Sequence, residues 1–335
     1  MKQLYLILFL LGLGCAFLLN ASSAQASSQP YIGSHGVNFS TGNKYVEETD
    51  IALEGPVKDV QFSRSYNSQS TTNGVLGYGW IGSFAERVID NTTAITLVRN
   101  DGRFIKFTNN GQGGYTSQLG SPQVITRITG GFQLARSNKD IHTFDSQGRL
   151  TAIAYHNGTG LNYTYTGDQL TAITDTMGRS LSFAYTDGKL TSLVSPAGTF
   201  TYTYDSNSNL TRVTRPDGKY RSYGYTDSAD VHNLTTITDE AGTVTQTLSY
   251  DSSDRVASSK LAGDTQAVTI AYPSLLTRTI TDSLGAVSTY ELDVLNGVAR
   301  VKSYTGPGCS SCGSDSGSSY TYTSRQQIAS VTDAK

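Results

Sequence analysis

The stretch that decides the fold reads DQLTAITDTMGRSLSFAYTDG (168–188), GKLTSLVSPAGTFTYTYDSNS (188–208) and SNLTRVTRPDGKYRSYGYTDS (208–228). Set under one another, these segments place Leu170, Leu190 and Leu210 twenty residues apart, and Gly178, Gly198 and Gly218 likewise. Tyr185, Tyr204 and Tyr225 keep nearly the same beat, and Leu150 in FDSQGRLTAIAYHNG (144–158) marks an earlier copy. Inside a copy, Leu181, Phe183 and Tyr185 alternate with Ser182 and Ala184, the period-2 signature of a strand with one apolar face. Met177-Gly178, Ala197-Gly198 and Asp217-Gly218 supply turns on one side, with Asp187-Gly188 and Asp205 to Asn209 on the other. Each copy is a two-strand unit too small to bury its own apolar face, so neighbouring copies must stack. An all-β fold is expected, with an antiparallel sheet of hairpins that curls or spirals.

Working outward, the beat continues more loosely through NLTTITDEAGTVTQTLSYDSS (233–253) and DRVASSKLAGDTQAVTIAYPS (254–274) to about residue 304. A Gly/Ser-rich insertion with Cys309 and Cys312 follows at 305–319, and 320–335 begins another copy. Residues 31–143 lack the beat but carry β-like alternation with Gly turns, and read as a separate N-terminal β module. Composition agrees: 16% charged residues lies below the usual level of about 25%, while Gly (34) and Tyr (21) are abundant. A net charge of -2 leaves no basic face to neutralise phosphates, which argues against a nucleic-acid partner.

Lys2, the apolar run Leu4 to Leu19 and the small-x-small triplet Ala24-Gln25-Ala26 read as an export signal, 1–26. An uncleaved membrane anchor, for which the apolar run is short, and lipid attachment at Cys15 are the competing readings, and no later segment suits a membrane span. An exported chain with one remaining Cys pair favours a short-loop disulfide between Cys309 and Cys312. A half zinc site and a thioredoxin-like redox pair stay open as alternatives.

The recurring Tyr-Asp…Gly-Arg-Leu…Val-Thr-Asp…Gly pattern resembles the YD repeat of the RHS proteins. It stands here as Phe144-Asp145…Gly148-Arg149-Leu150, as Tyr204-Asp205…Leu210…Val213-Thr214…Asp217-Gly218, and as Tyr250-Asp251…Arg255-Val256. Thr41-Gly42, Asp50, Phe62, Arg64-Ser65-Tyr66-Asn67 and Gly77-Tyr78-Gly79-Trp80 resemble the domain of unknown function that opens many RHS proteins. The resemblance implies a spiralling β shell, closed in many members around a C-terminal toxin. Against that family the sequence ends at Thr332-Asp333-Ala334-Lys335, with no RHS core segment and no toxin tip. The expected partner is therefore further RHS repeats or another chain, pairing with an open C-terminal strand edge.

Chemistry-bearing patterns are sparse. His35, His142, His156 and His232 are isolated in sequence, and no nucleophile elbow is present. Asp residues recur at fixed turn positions, which fits Asp bonding its own backbone better than a glycosidase pair. No catalytic residue, cofactor or metal ligand is assigned. Tyr-rich strand faces leave one alternative function, a surface adhesin that stacks sugar rings on Tyr202 and Tyr223; the favoured use of those rings is as shell lining. The expected protein is a non-catalytic structural component, secreted or at the cell surface.

Overall fold

Alternation along each copy becomes strand pairing in space. The computed structural model describes residues 35–55, 60–100, 102, 104–117, 123–295, 298–306, 317–324 and 327–333. The export signal, Cys15, Cys309 and Cys312 lie outside the described residues. What is described is all β, apart from short 3-10 turns such as Ala262–Asp264. No helix among the described residues is long and apolar enough to cross a membrane.

Twenty-four strands, from Arg87–Asp90 to Ile328–Asp333, form one antiparallel sheet in which each strand pairs with its neighbour in sequence. Among the described residues no ladder joins the last strand to the first, and the sheet is open. It does curl. The first strand returns to the start of the eighth, Leu150–Ala154, through the bridge Arg87↔Arg149 and the bond from Val88 N to Gly148 O (2.8 Å). Val88, Leu97, Phe107, Ile125, Phe144 and Leu150 fill this first turn as one cluster. Strand Ile141–Asp145 spans the boundary drawn at residues 143 and 144 from the beat, and pairing continues across it.

A second, four-stranded sheet comes from the beginning of the chain: Val37–Asn38, Asn43–Leu53, Val60–Asn67 and Trp80–Gly82. It lies on the apolar face of the repeats, where Phe62, Tyr66, Trp80 and Phe84 share a core with Leu170, Leu190, Leu210 and Ile270. Burying a side chain of that size is worth about 1.5–3 kcal/mol. This cluster is thus what fastens the two sheets together.

The twenty-residue unit has a repeated internal design. Leu150, Leu170, Leu190 and Leu210 are buried and pair with Phe144, Tyr165, Tyr185 and Tyr204 across a β-bulge. The extra residue of each bulge is the Thr after the Leu. Its hydroxyl donates to the strand carbonyl opposite, as in Thr151 to Thr143 (3.1 Å), Thr171 to Thr164 (3.1 Å) and Thr211 to Thr203 (3.0 Å). A bulge bends its strand and sharpens the local twist, so one bulge per copy accounts for the curl. The copy's Tyr then reaches back: Tyr165 Oη donates to Leu150 O (2.9 Å), Tyr185 to Leu170 O (2.7 Å) and Tyr204 to Leu190 O (2.8 Å). Tyr250 to Leu234 O and Tyr272 to Val256 O repeat the bond.

The Asp that follows the Tyr closes the turn. Asp145 Oδ1 accepts from the backbone N–H groups of Gln147 and Arg149, and its Oδ2 accepts from Arg149 Nε (2.8 Å). Asp251 does the same with Arg255, and Asp205 does so with the Asn209 amide in place of an arginine. Asp175, which follows Thr174, closes the turn at the opposite end of a hairpin in the same way with Arg179. The recurrent carboxylates are turn residues.

A Tyr204→Phe change is expected to lower stability by about 0.5–1.5 kcal/mol, the net worth of one such bond, with the fold retained. Equilibrium urea unfolding of the two proteins checks it. A loss above twice that range would mean that the longer contact of the same hydroxyl with Val75 O (3.3 Å) also contributes.

Candidate functional site

Polar side chains form three buried groups, two at the junction of the two sheets and one at the first turn of the large sheet. In the first, Arg64 Nε binds Asp50 at 2.8 and 2.9 Å, with the two side chains 2% and 4% exposed. Arg64 Nη2 donates to Tyr223 Oη (2.9 Å), and Tyr202 Oη donates to Asp50 Oδ2 (2.8 Å). The guanidinium also lies 4.9 Å from the Trp80 ring centre, within cation–π range, while Trp80 Nε1 donates to Tyr225 Oη (2.9 Å). Burial pushes the Tyr223 phenol up to about 12. Long residues that alternate along strand Val60–Asn67 (Phe62, Arg64 and Tyr66) all point into the repeats, which is why an Arg sits among aromatic rings.

The second group surrounds Lys44. Its ammonium is buried and donates to His35 O (2.5 Å) and Gln246 Oε1 (2.8 Å), while His35 Nδ1 and Gln246 Nε2 both meet Ser259 Oγ. Burial drops the Lys44 pKa to about 7, against a weaker opposing pull from Glu48. The unfolded chain then holds a proton on Lys44 that the folded protein gives up between about pH 7 and the ordinary lysine value. Stability should rise with pH across that window. Lys44→Met is expected to flatten this rise, read as urea midpoints at pH 6.5, 8 and 9.5. An unchanged slope would exclude Lys44 as its source.

In the third group, Glu86 is held by His142 and Arg136 at the first turn of the sheet. Burial alone would lift the Glu86 carboxyl, but His142 and Arg136 outweigh it and hold it below the usual range. Apart from Arg64 Nη1, which has no hydrogen-bond partner, the charged groups here are met by protein partners, which suits structural joints.

Tyr202 and Tyr223 are 4% and 3% exposed and lie beneath the N-terminal sheet. Neither ring face is open to a sugar, so these two positions cannot serve as a glycan platform while that sheet is in place. Tyr185, Tyr204 and Tyr225 pack against the same core. Gly178, Gly198 and Gly218 all take positive φ, as their turns require. His142 and His35 are buried partners in joints, whereas the sequence presents them as isolated residues. The signal that could have found them was weak: each lies in a strand-like alternation, on its apolar side. Among the described residues no group of three or more His, Cys, Asp or Glu is placed to hold a metal ion.

One cavity of about 640 Å³ opens where the N-terminal sheet meets the first repeat turns. Phe84, Leu170, Tyr165 and Tyr185 line it, with Arg87 and Phe104 toward its mouth.

Comparison with known proteins gives two family matches. The domain of unknown function DUF6531 matches residues 34–107, and the RHS Repeat matches 186–220 and 204–244. Among curated proteins the chain is similar to the tRNA3(Ser)-specific nuclease WapA of Bacillus spizizenii and the tRNA nuclease WapA of Bacillus subtilis. Each is 29% identical over 135 residues, which is 40% of this chain and 6% of the relative. The chain thus spans a small fraction of the length of these relatives. Among solved structures it resembles a chain of the TcdB2-TccC3-Cdc42 crystal structure at 12% identity and a TM-score of 0.33, covering 85% of this chain and 19% of that one. A porin-like protein from Bacteroides uniformis is similar at 14% identity and a TM-score of 0.23, covering 73% and 85%.

Proposed function

Because this chain carries a DUF6531 domain followed by RHS repeats, the N-terminal arrangement of the RHS/YD-repeat family, we propose that it is a non-catalytic structural protein supplying the opening module and first turns of a β shell. One observation carries the reading. The repeated Leu, Phe and Tyr side chains face the N-terminal sheet and pack with it in one buried core. Residues used as a wall are held by neighbours on every side, whereas a catalytic group needs open space beside it.

Export follows from the leader-like sequence at 1–26, and the shell would act outside the cytoplasm. Its natural partner is a further set of RHS repeats, in the same or another polypeptide. Strand Ile328–Asp333 pairs on one side only among the described residues, and Ile328 and Val331 are 51% and 53% exposed. Such an edge is a template for strand addition.

The test uses the relatives' named activity. Purified protein incubated with total tRNA is expected to leave it intact, and fractionated cells should hold the protein outside the cytoplasm, shortened by about 26 residues. Reproducible tRNA cleavage that co-purifies with the folded protein would overturn the non-catalytic reading. A cytoplasmic, full-length product would overturn the export.

A further inference from the structure

Along the rim that carries the Asp turns, segments from the start of the chain meet successive copies through backbone bonds. Val256 N donates to Gly42 O (2.9 Å) and Leu190 N to Val75 O (2.8 Å); further back, Val88 N donates to Gly148 O (2.8 Å). Leu170 holds the same place in its copy as Leu190. Tyr165↔Leu170 and Tyr185↔Leu190 are paired alike, each beside a bulge. Yet among the described residues no carbonyl outside its strand ladder reaches Leu170 N. The cavity lies at this spot. On one side of it strand Arg87–Asp90 covers the turn at 148–150, and on the other the 73–75 segment covers the turn at 188–190.

Among the described residues the rim is therefore filled by extended chain on both flanks and left uncovered over one copy. The empty position has the chemistry of its neighbours plus two further features. Phe84, Tyr165 and Tyr185 give it apolar walls, and Phe104 at the mouth is 58% exposed. Arg87 is exposed beside it and makes no ion pair among the described residues. An exposed apolar surface of this kind, next to an unpaired cation, marks an interaction site.

We propose that this cleft takes an extended peptide segment of a partner chain. A backbone carbonyl of the peptide accepts from Leu170 N–H, as Val75 O does from Leu190. A large apolar side chain fills the space between Phe84 and Tyr185, and an acidic side chain or C-terminal carboxylate meets Arg87. Strand-edge recognition supplies affinity through the main chain and specificity through the side-chain pocket. The proposal does not depend on the shell reading, since it concerns one rim position whatever the whole assembly does.

The test is panning of the purified protein against a displayed heptapeptide library, followed by hydrogen exchange with the best synthetic peptide. Enriched peptides should carry an aromatic or large aliphatic residue near an Asp, Glu or free C-terminus. Arg87→Glu and Phe104→Asp, both at exposed positions, should each weaken binding tenfold or more while leaving the melting transition in place. In the free protein the Leu170 amide should exchange at least tenfold faster than that of Leu190, and the peptide should remove the difference. Absence of enrichment, binding indifferent to both substitutions, or a Leu170 amide already as protected as Leu190 would overturn the proposal. So would a capped peptide of residues 27–34 that binds more tightly than any selected sequence, since the occupant would then be this chain's own N-terminal segment.

Discussion

Asp50→Ala should unseat the N-terminal sheet. The substitution leaves Arg64 buried without its carboxylate, and its Nη1 already has no hydrogen-bond partner. Removing one member of a buried ion pair costs about 3–5 kcal/mol, because the remaining charge must be accommodated in a poorly polarisable interior. Tyr202 would lose its acceptor in the same step. The chain's single Trp, Trp80, is 2% exposed at this joint, so its fluorescence reports on seating directly. We expect a red-shifted emission and a urea transition moved to lower denaturant. Replacing both partners, Asp50→Leu with Arg64→Met, should restore most of the loss, since apolar residues of similar size can stand in for a buried pair. If the double variant were as damaged as the single one, shape rather than charge would be what Asp50 contributes.

The second large effect is expected at Gly148. Its φ is +78°, and a Cβ there would fall 1.8 Å from Val88 O. Gly178 serves as its control, with φ +81° and open space around it. Gly178→Ala should cost only the left-handed backbone penalty, about 1–2 kcal/mol. Gly148→Ala adds a collision with the strand that closes the first turn. That strand must move away, uncovering Val88 and Leu150, so the total should reach about 4 kcal/mol or more. Thermal unfolding of the two variants side by side gives the comparison. Amide exchange at Val88 should accelerate in Gly148→Ala alone. Equal losses at the two positions would show that the first strand is not held against the Gly148 turn.

Much of the repeat was legible before any coordinates, because period 2 within a strand and period 20 between copies are local signals. Leu170, Leu190 and Leu210 could be placed as wall residues, and the Asp residues as turn closers, from spacing alone. The bulge at each Leu-Thr was not legible. Thr171 and Thr211 read as ordinary strand residues until their hydroxyls are seen to bind the opposite carbonyl. Packing of the N-terminal sheet on the repeats was hidden for a different reason. Arg64 and Tyr223 are 159 positions apart, and nothing in either segment announces the other. That distance also misdirected the adhesin alternative: an aromatic ladder looks the same in sequence whether it is open or covered. Strands between Arg87 and Ala135 lack the beat because their hairpin connections differ in length, yet they extend the same sheet.

The backward reach of each copy's tyrosine bears on how such a gene can change length. Five of these hydroxyls bind a carbonyl fourteen to sixteen residues earlier. Excising one whole unit brings the next phenol to an equivalent acceptor, so nothing is orphaned. Excising half a unit strands the contact that spans the cut. Recombination between copies should therefore favour whole-unit steps over partial ones, and where the copies lie beneath the N-terminal sheet its cross-chain partners restrict the count further.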